Sequence, residues 1–150
     1  MPEKKRFILG ADHAGFALKE ALRRYLQEQK IRVEDASPIY KEDDDYPAVA
    51  KRVAKAVSRD LQAQGLLVCG SGFGMSMAAN RIKGARAATA RSSSEARLAR
   101  EDTHANILAL GSRVTPTAIA KKILDAWLAA TPSKAERHLR RIKQLDRDVK

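Results

Sequence analysis

A chain of 150 residues, 44% of them hydrophobic, can bury one core, and a single domain over 1–150 is expected. No apolar run approaches the ~18 residues of a membrane span, the opening Met1 to Phe7 has no apolar leader, and the lone Cys69 permits neither an internal disulfide nor a thiolate cluster for zinc. The excess of 29 Lys and Arg over 18 Asp and Glu, a net +11, suits an anionic substrate or a nucleic acid, but aromatics at 5% are too sparse for a base-stacking platform, so a soluble cytoplasmic protein with no nucleic-acid or membrane partner is expected.

Phe7 to Gly10 is a short apolar run closed by glycine, and the spacing of Phe16, Leu18, Leu22, Tyr25 and Leu26 predicts a helix behind it. Ile31 to Val33 reads as a second strand, followed by a polar loop from Pro38 to Pro47 whose acidic run Glu42 to Asp45 reads as a face in water. A long helix is predicted from Ala48 to Gln64 on the stripe Val49, Val53, Val57. Gly65 to Cys69 is the most strand-like segment, ending in a glycine-rich turn before a helix over Met75 to Ile82. Ala85 to Thr89 and Ile107 to Leu110 supply two further strands, each with a helix after it. Beyond Pro132 a final helix is predicted, about 133–147, with Arg137 and Arg141 four residues apart on one face, either an anion clamp or a solvated basic surface.

Alternating strands and helices imply right-handed βαβ units, giving an α/β, Rossmann-like three-layer sandwich: a five-stranded parallel sheet, helices on both faces and a C-terminal helix. Ligands of such sheets bind beyond the carboxyl ends of the strands. That rule selects Ala11-Asp12-His13, Cys69 to Gly74, and Gly111-Ser112-Arg113.

Cys69-Gly70-Ser71-Gly72-Phe73-Gly74 sets three glycines between a strand and a helix, so that several N–H groups can face a ligand. Such a nest suits a phosphate or a developing oxyanion, and spacing alone does not separate them. Met77 stands where a dinucleotide fingerprint needs its third glycine, so a nucleotide site is disfavoured. A thiol beside a helix N-terminus and an amide nest should have its thiolate stabilised relative to the free value of about 8.5, making Cys69 a base or nucleophile, against the alternative of a small buried strand residue. Asp12-His13 reads as an acid–base pair, a phosphate contact or a loop cap. His104 and His138 show no local pattern and read as surface histidines.

The blocks G-A-D-H-A-G-F, D-Y-P, C-G-S-G-F-G-M-S-M-A-A-N-R, L-A-L-G-S-R and R-H-L-R-R occur in one order across about Phe7 to Leu145. In these the chain resembles the type B ribose-5-phosphate isomerases and the related galactose-6-phosphate isomerase subunits. The resemblance implies a cofactor-free and metal-free aldose–ketose isomerase of a phosphorylated sugar, ribose 5-phosphate first, working as a homodimer with shared active sites, or a tetramer of such dimers. The C-terminal helix would pack on a partner subunit.

Carried over by position, the resemblance makes Cys69 the base that moves a proton between C1 and C2. One branch of the family uses a glutamate whose place is held here by Met75. Ser71 with the amides of Gly70, Gly72, Phe73 and Gly74 would hold the enediolate, Asp12 and His13 would contact the sugar or phosphate, and Tyr46 would line the pocket. Arg113, Arg137 and Arg141 match phosphate contacts, Arg113 coming from the partner. The chain departs from the pattern at Asp102-Thr103, where members commonly carry His-Asn and the histidine is proposed to open the furanose ring. Asp102 or His104 could take that task, or the substrate could arrive open-chain. Allose 6-phosphate, galactose 6-phosphate or a tetrose phosphate are alternative substrates, the tetrose needing no ring opening, and a non-catalytic basic binding protein is the reading from another class.

Overall fold

The computed structural model describes residues 5–150; Met1 to Lys4, part of the stretch read above for a leader, lies outside them. Strands β1 (Arg6–Ala11), β2 (Arg32–Asp35), β3 (Ala63–Cys69), β4 (Ala87–Thr89) and β5 (Ile107–Gly111) form one parallel sheet in the order β2-β1-β3-β5-β4. Helices α1 (Phe16–Glu28), α2 (Tyr46–Ser58), α3 (Phe73–Ala79), α4 (Ser93–Thr103), α5 (Thr117–Ala129) and α6 (Glu136–Arg147) complete the chain. The α/β sandwich expected from the sequence is the fold found. No helix among the described residues is long and apolar enough to cross a membrane.

The period-2 alternation of the strands decides which helices cover which face. Phe7, Leu9, Leu66, Val68, Leu108 and Leu110 point to one side and bury the apolar stripes of α1, α4 and α5, including Leu22, Ile123 and Trp127. Ile8, Leu67, Cys69, Ile107 and Ala109 point to the other and meet Val53 and Val57 of α2 and Met75 of α3. The chain leaves β1 for β2 and then returns across it to β3, so the winding reverses between β1 and β3. Their carboxyl ends therefore open on the switch-point crevice where such sheets bind ligands.

Several boundaries differ from the sequence reading, and three of the elements concerned show why. The helix predicted over Ala48 to Gln64 is α2, Tyr46 to Ser58: Pro47 starts it early, and a turn in which the Asp60 carboxylate accepts the Gln62 amide ends it, freeing Ala63 and Gln64 for β3. The helix predicted from Met75 begins at Phe73, because Gly72 at φ 85° makes the turn out of β3 in the left-handed region open to glycine. The fourth strand starts at Ala87 rather than Ala85, since the Arg86 amide is taken by the Asn106 side chain.

Lys19 sits on the buried side of α1, a position that the pattern of leucines conceals. Its ammonium is fully buried, donating to Asp35 Oδ2 and to the Ser37 carbonyl, both at 2.7 Å, and resting 4.3 Å from the centre of the Phe16 ring. Ser37 Oγ in turn accepts the Ala11 amide at 2.9 Å, so this ion pair ties the β2 edge to the residue before Asp12. Replacing Lys19 by Met leaves the half-buried Asp35 carboxylate with the Ser37 amide on Oδ1 and no cation on Oδ2. The expected cost is roughly 3–5 kcal/mol in urea unfolding, whereas Arg32→Met on the exposed edge should change stability by less than about 0.5 kcal/mol.

Candidate active site

The loops after β1, β3 and β5 are bonded to one another. The Asp12 amide donates to the Val68 carbonyl at 3.3 Å, the Ser112 amide to the Cys69 carbonyl at 2.8 Å, the Arg113 amide to the Gly70 carbonyl at 3.0 Å, and Ser112 Oγ to the Ala14 carbonyl at 2.7 Å. Gly15 lies so close over β3 that a Cβ there would fall 2.1 Å from the Val68 carbonyl oxygen; no larger residue fits without moving the loop. Asp12 is buried, and its Oδ1 accepts the Gly15 amide at 3.0 Å, the loop-capping alternative of the sequence reading realised in geometry.

Cys69 is the last residue of β3, on the face covered by α2 and α3, and is 4% exposed. Its Sγ accepts the Gly72 amide at 3.1 Å, so a donor already points at the atom that would carry a thiolate's charge. Ser71 Oγ accepts the Phe73 amide, which fixes the first turn of α3 and leaves the hydroxyl proton free of that bond. Met75 is fully buried in the core, so its side chain offers nothing to this loop. The Tyr46 ring packs over Gly74, and with Lys51 and Arg81 it borders an open cleft of about 640 Å³ beside the loop.

Arg113 was expected from a partner subunit, but its guanidinium lies over Gly70 of its own chain: a Cβ on Gly70 would be 3.1 Å from Cζ. His13 is held by Asp44, which accepts both its amide at 2.7 Å and, across 3.1 Å, its Nδ1–H. Asp44 belongs to the acidic run read as a solvated loop. The hydrogen bond to Asp44, with the charges of Asp12 and Asp44 behind it, raises the His13 pKa above its ordinary 6.5. Cys69, Ser71, Asp12, His13, Arg113 and Tyr46 thus gather at one end of the sheet. No cluster of three or more His, Cys, Asp or Glu suited to a metal occurs among the described residues.

Asp102, His104, Arg137 and Arg141 are elsewhere. α4 runs back from the carboxyl ends, and β5 then separates its last residues from Gly111 by four strand rises, about 13 Å. His104, in a left-handed cap at φ 50°, is pinned by the Ser133 carbonyl 2.6 Å from Nε2. His138, read as a surface residue, is instead largely enclosed on α6, its Nε2 3.9 Å from Asp102 Oδ1. α6 packs on α4, placing Arg137 and Arg141, both exposed, on the element that carries His138 beside Asp102. Each chain therefore holds two clusters at opposite ends of the sheet.

The family model for ribose/galactose isomerases matches residues 7–145. The chain belongs to the ribose/galactose isomerase family. The ribose-5-phosphate isomerase B of Escherichia coli is 39% identical over 141 residues, 94% of each chain, and a D-erythrulose-4-phosphate isomerase of Pectobacterium atrosepticum is 39% identical over 123 residues, 81% of each. A solved ribose-5-phosphate isomerase B of Mycoplasma genitalium with bound ribulose-5-phosphate superposes with a TM-score of 0.90 at 37% identity, covering 95% of this chain and 94% of that one. The family resemblance and the enzyme class it implied, aldose–ketose isomerase, both hold.

A group whose folded pKa is raised stabilises the fold below its unfolded pKa and loses that contribution as pH rises through the folded value. His13 accordingly favours the folded chain in acid and ceases to do so above its raised pKa. An NMR titration should find the His13 ring titrating above 6.5 in the wild-type chain and nearer 6.5 in Asp44→Asn.

Proposed function

We propose that the chain interconverts ribose 5-phosphate and ribulose 5-phosphate, with Cys69 as the base. The observation that carries this reading is a cysteine sulfur at the switch-point crevice, facing the Gly72 amide, while the neighbouring Met75 is locked in the core. The Cys69 thiolate takes the C2 proton of the open aldose and returns it to C1. The intervening enediolate is held by the amides of Gly70 to Gly74 and by the Ser71 hydroxyl, donors already in place before charge develops. Arg113 and a protonated His13 attract the phosphate, whose binding energy far from the reacting carbons is used for positioning.

The site is completed by a second copy of the chain in a homodimer. Asp102, Arg137 and Arg141 face away from their own Cys69, and twofold pairing is the economical way to bring such a cluster to a neighbour's crevice. Arg137 and Arg141 then add to the phosphate clamp, and Asp102 is the acid–base group for ring opening. One domain of 150 residues in the cytoplasm suffices for this account.

A tetrose phosphate is the second reading. Asp102 stands where the resemblance leads one to look for a ring-opening histidine, His104 is pinned away by Ser133, and one relative is named for a four-carbon sugar phosphate.

Proton NMR of ribose 5-phosphate and of erythrose 4-phosphate with the protein separates the readings: pentose conversion supports the first, tetrose conversion alone the second, and silence on both defeats each. Cys69→Ala should lose at least about a thousandfold in kcat with little change in substrate binding. Neither Cys69→Ala nor Arg141→Ala should be active alone, and mixing them should restore about a quarter of wild-type activity if one site is built from two chains; Arg141→Ala subunits active on their own would show each chain to be self-sufficient.

A further inference from the structure

We propose that the cavity under the amino-terminal edge of the sheet is a second binding site, for a phosphate dianion or the phosphate end of a monoester, with Arg100 as its buried anchor and Arg86 beside it. The cavity encloses about 290 Å³, where a single water needs only about 10–15 Å³ on that measure. It lies beneath α4 and the start of β5, at the opposite end of the strands from Cys69; of the second cluster only His104 lines it, while Asp102, Arg137 and Arg141, the residues the proposed function uses, do not.

Arg100, in the last turn of α4, is 9% exposed. Its Nη1 donates to the Ala105 carbonyl at 2.6 Å, and its Cζ stands 5.4 Å from the centre of the Trp127 ring. Nε is buried and reaches no acceptor, and Arg100 forms no ion pair with a carboxylate among the described residues. The helix C-terminus and the indole face offset part of the charge, but a guanidinium taken out of water asks for a full counter-charge.

The surroundings add cations instead. Burial, and then the charge of Arg86, hold the Arg100 pKa below its ordinary value, and the charge of Arg100 adds to the burial that lowers that of Lys5. The two carboxylates on the cavity wall are already engaged. Asp146 accepts both its bonds from Arg86, at 3.0 and 3.1 Å, and Asp60 is held by Arg6. With Asp146 bonded to Arg86 and Asp60 to Arg6, the Arg100 charge has no carboxylate of its own on the wall, and its unpartnered Nε in a cavity of this size matches an oxygen of a tetrahedral phosphate.

Equilibrium dialysis of the full chain against labelled inorganic phosphate tests this. Wild type should bind two phosphates per chain, the Arg113→Ala, Arg141→Ala double variant should keep one, and Arg100→Gln should keep the other. Ser58→Asp, which sets a carboxylate on the cavity wall, should abolish the same site as Arg100→Gln and stands in for it if that variant fails to fold. Displacement of the phosphate retained by the double variant with ribose 5-phosphate would mark a monoester site, and resistance to displacement a site for inorganic phosphate. A single phosphate in wild type, lost in the double variant and untouched by Ser58→Asp or Arg100→Gln, would overturn the proposal.

Discussion

The bonds between three neighbouring strand ends determine everything else at the site. β1, β3 and β5 lie side by side, and their loops donate backbone amides across the gaps: Asp12 to Val68, Ser112 to Cys69, Arg113 to Gly70. Each of these bonds would be exchanged for water in the unfolded chain, so the gain per bond is small, about 1 kcal/mol. Their value lies in fixing where the side chains stand. With Ser112 and Arg113 bonded to the ends of Cys69 and Gly70, the Arg113 guanidinium lies over the glycine loop, and the Cys69 sulfur faces the Gly72 amide.

Charge is then laid over this frame from two sides. Lys19 and Asp35 hold the β2 edge, Ser37 passes that constraint to Ala11, and Asp12 follows directly. Asp44 reaches in from the loop before α2 to hold His13 and keep it protonated to higher pH. The crevice thereby offers an anion the Arg113 guanidinium, an imidazole whose protonated form Asp44 favours, and amide donors between them. The sheet also sets a limit, because an α/β unit returns each helix to the far edge. Residues at the end of α4 cannot reach the crevice of their own chain, and this separation makes a partner's contribution part of the proposed chemistry.

Much of this was legible in the sequence, for physical reasons. Short apolar runs closed by glycine mark buried parallel strands, and the strand-end rule points to Asp12, Cys69 and Arg113 before any coordinates. Other features left no trace in a one-dimensional pattern. Lys19 looks like a solvent-facing residue between leucines, and its burial depends on an aspartate 16 positions away. Asp44 is one of four acidic residues in a row, and only the folded loop singles it out for His13. The break between α2 and β3 rests on a side-chain turn at Asp60 that apolar periodicity does not register. Arg113 follows Gly111 by two residues, and within the chain its guanidinium lies over Gly70, a closeness the strand-end rule points to and spacing alone does not measure.

The central claim is that the Cys69 sulfur moves the proton, and isotope exchange at the substrate carbons tests it most directly. Ribose 5-phosphate incubated in deuterated water with the wild-type chain should yield ribulose 5-phosphate carrying deuterium at C1, because a proton held on sulfur exchanges readily with water between removal and return. With Cys69→Ala, neither conversion nor exchange at C2 of the aldose should occur, even at substrate concentrations where binding is intact. Continued deuterium exchange in Cys69→Ala would contradict the account and assign the base to another group of the crevice.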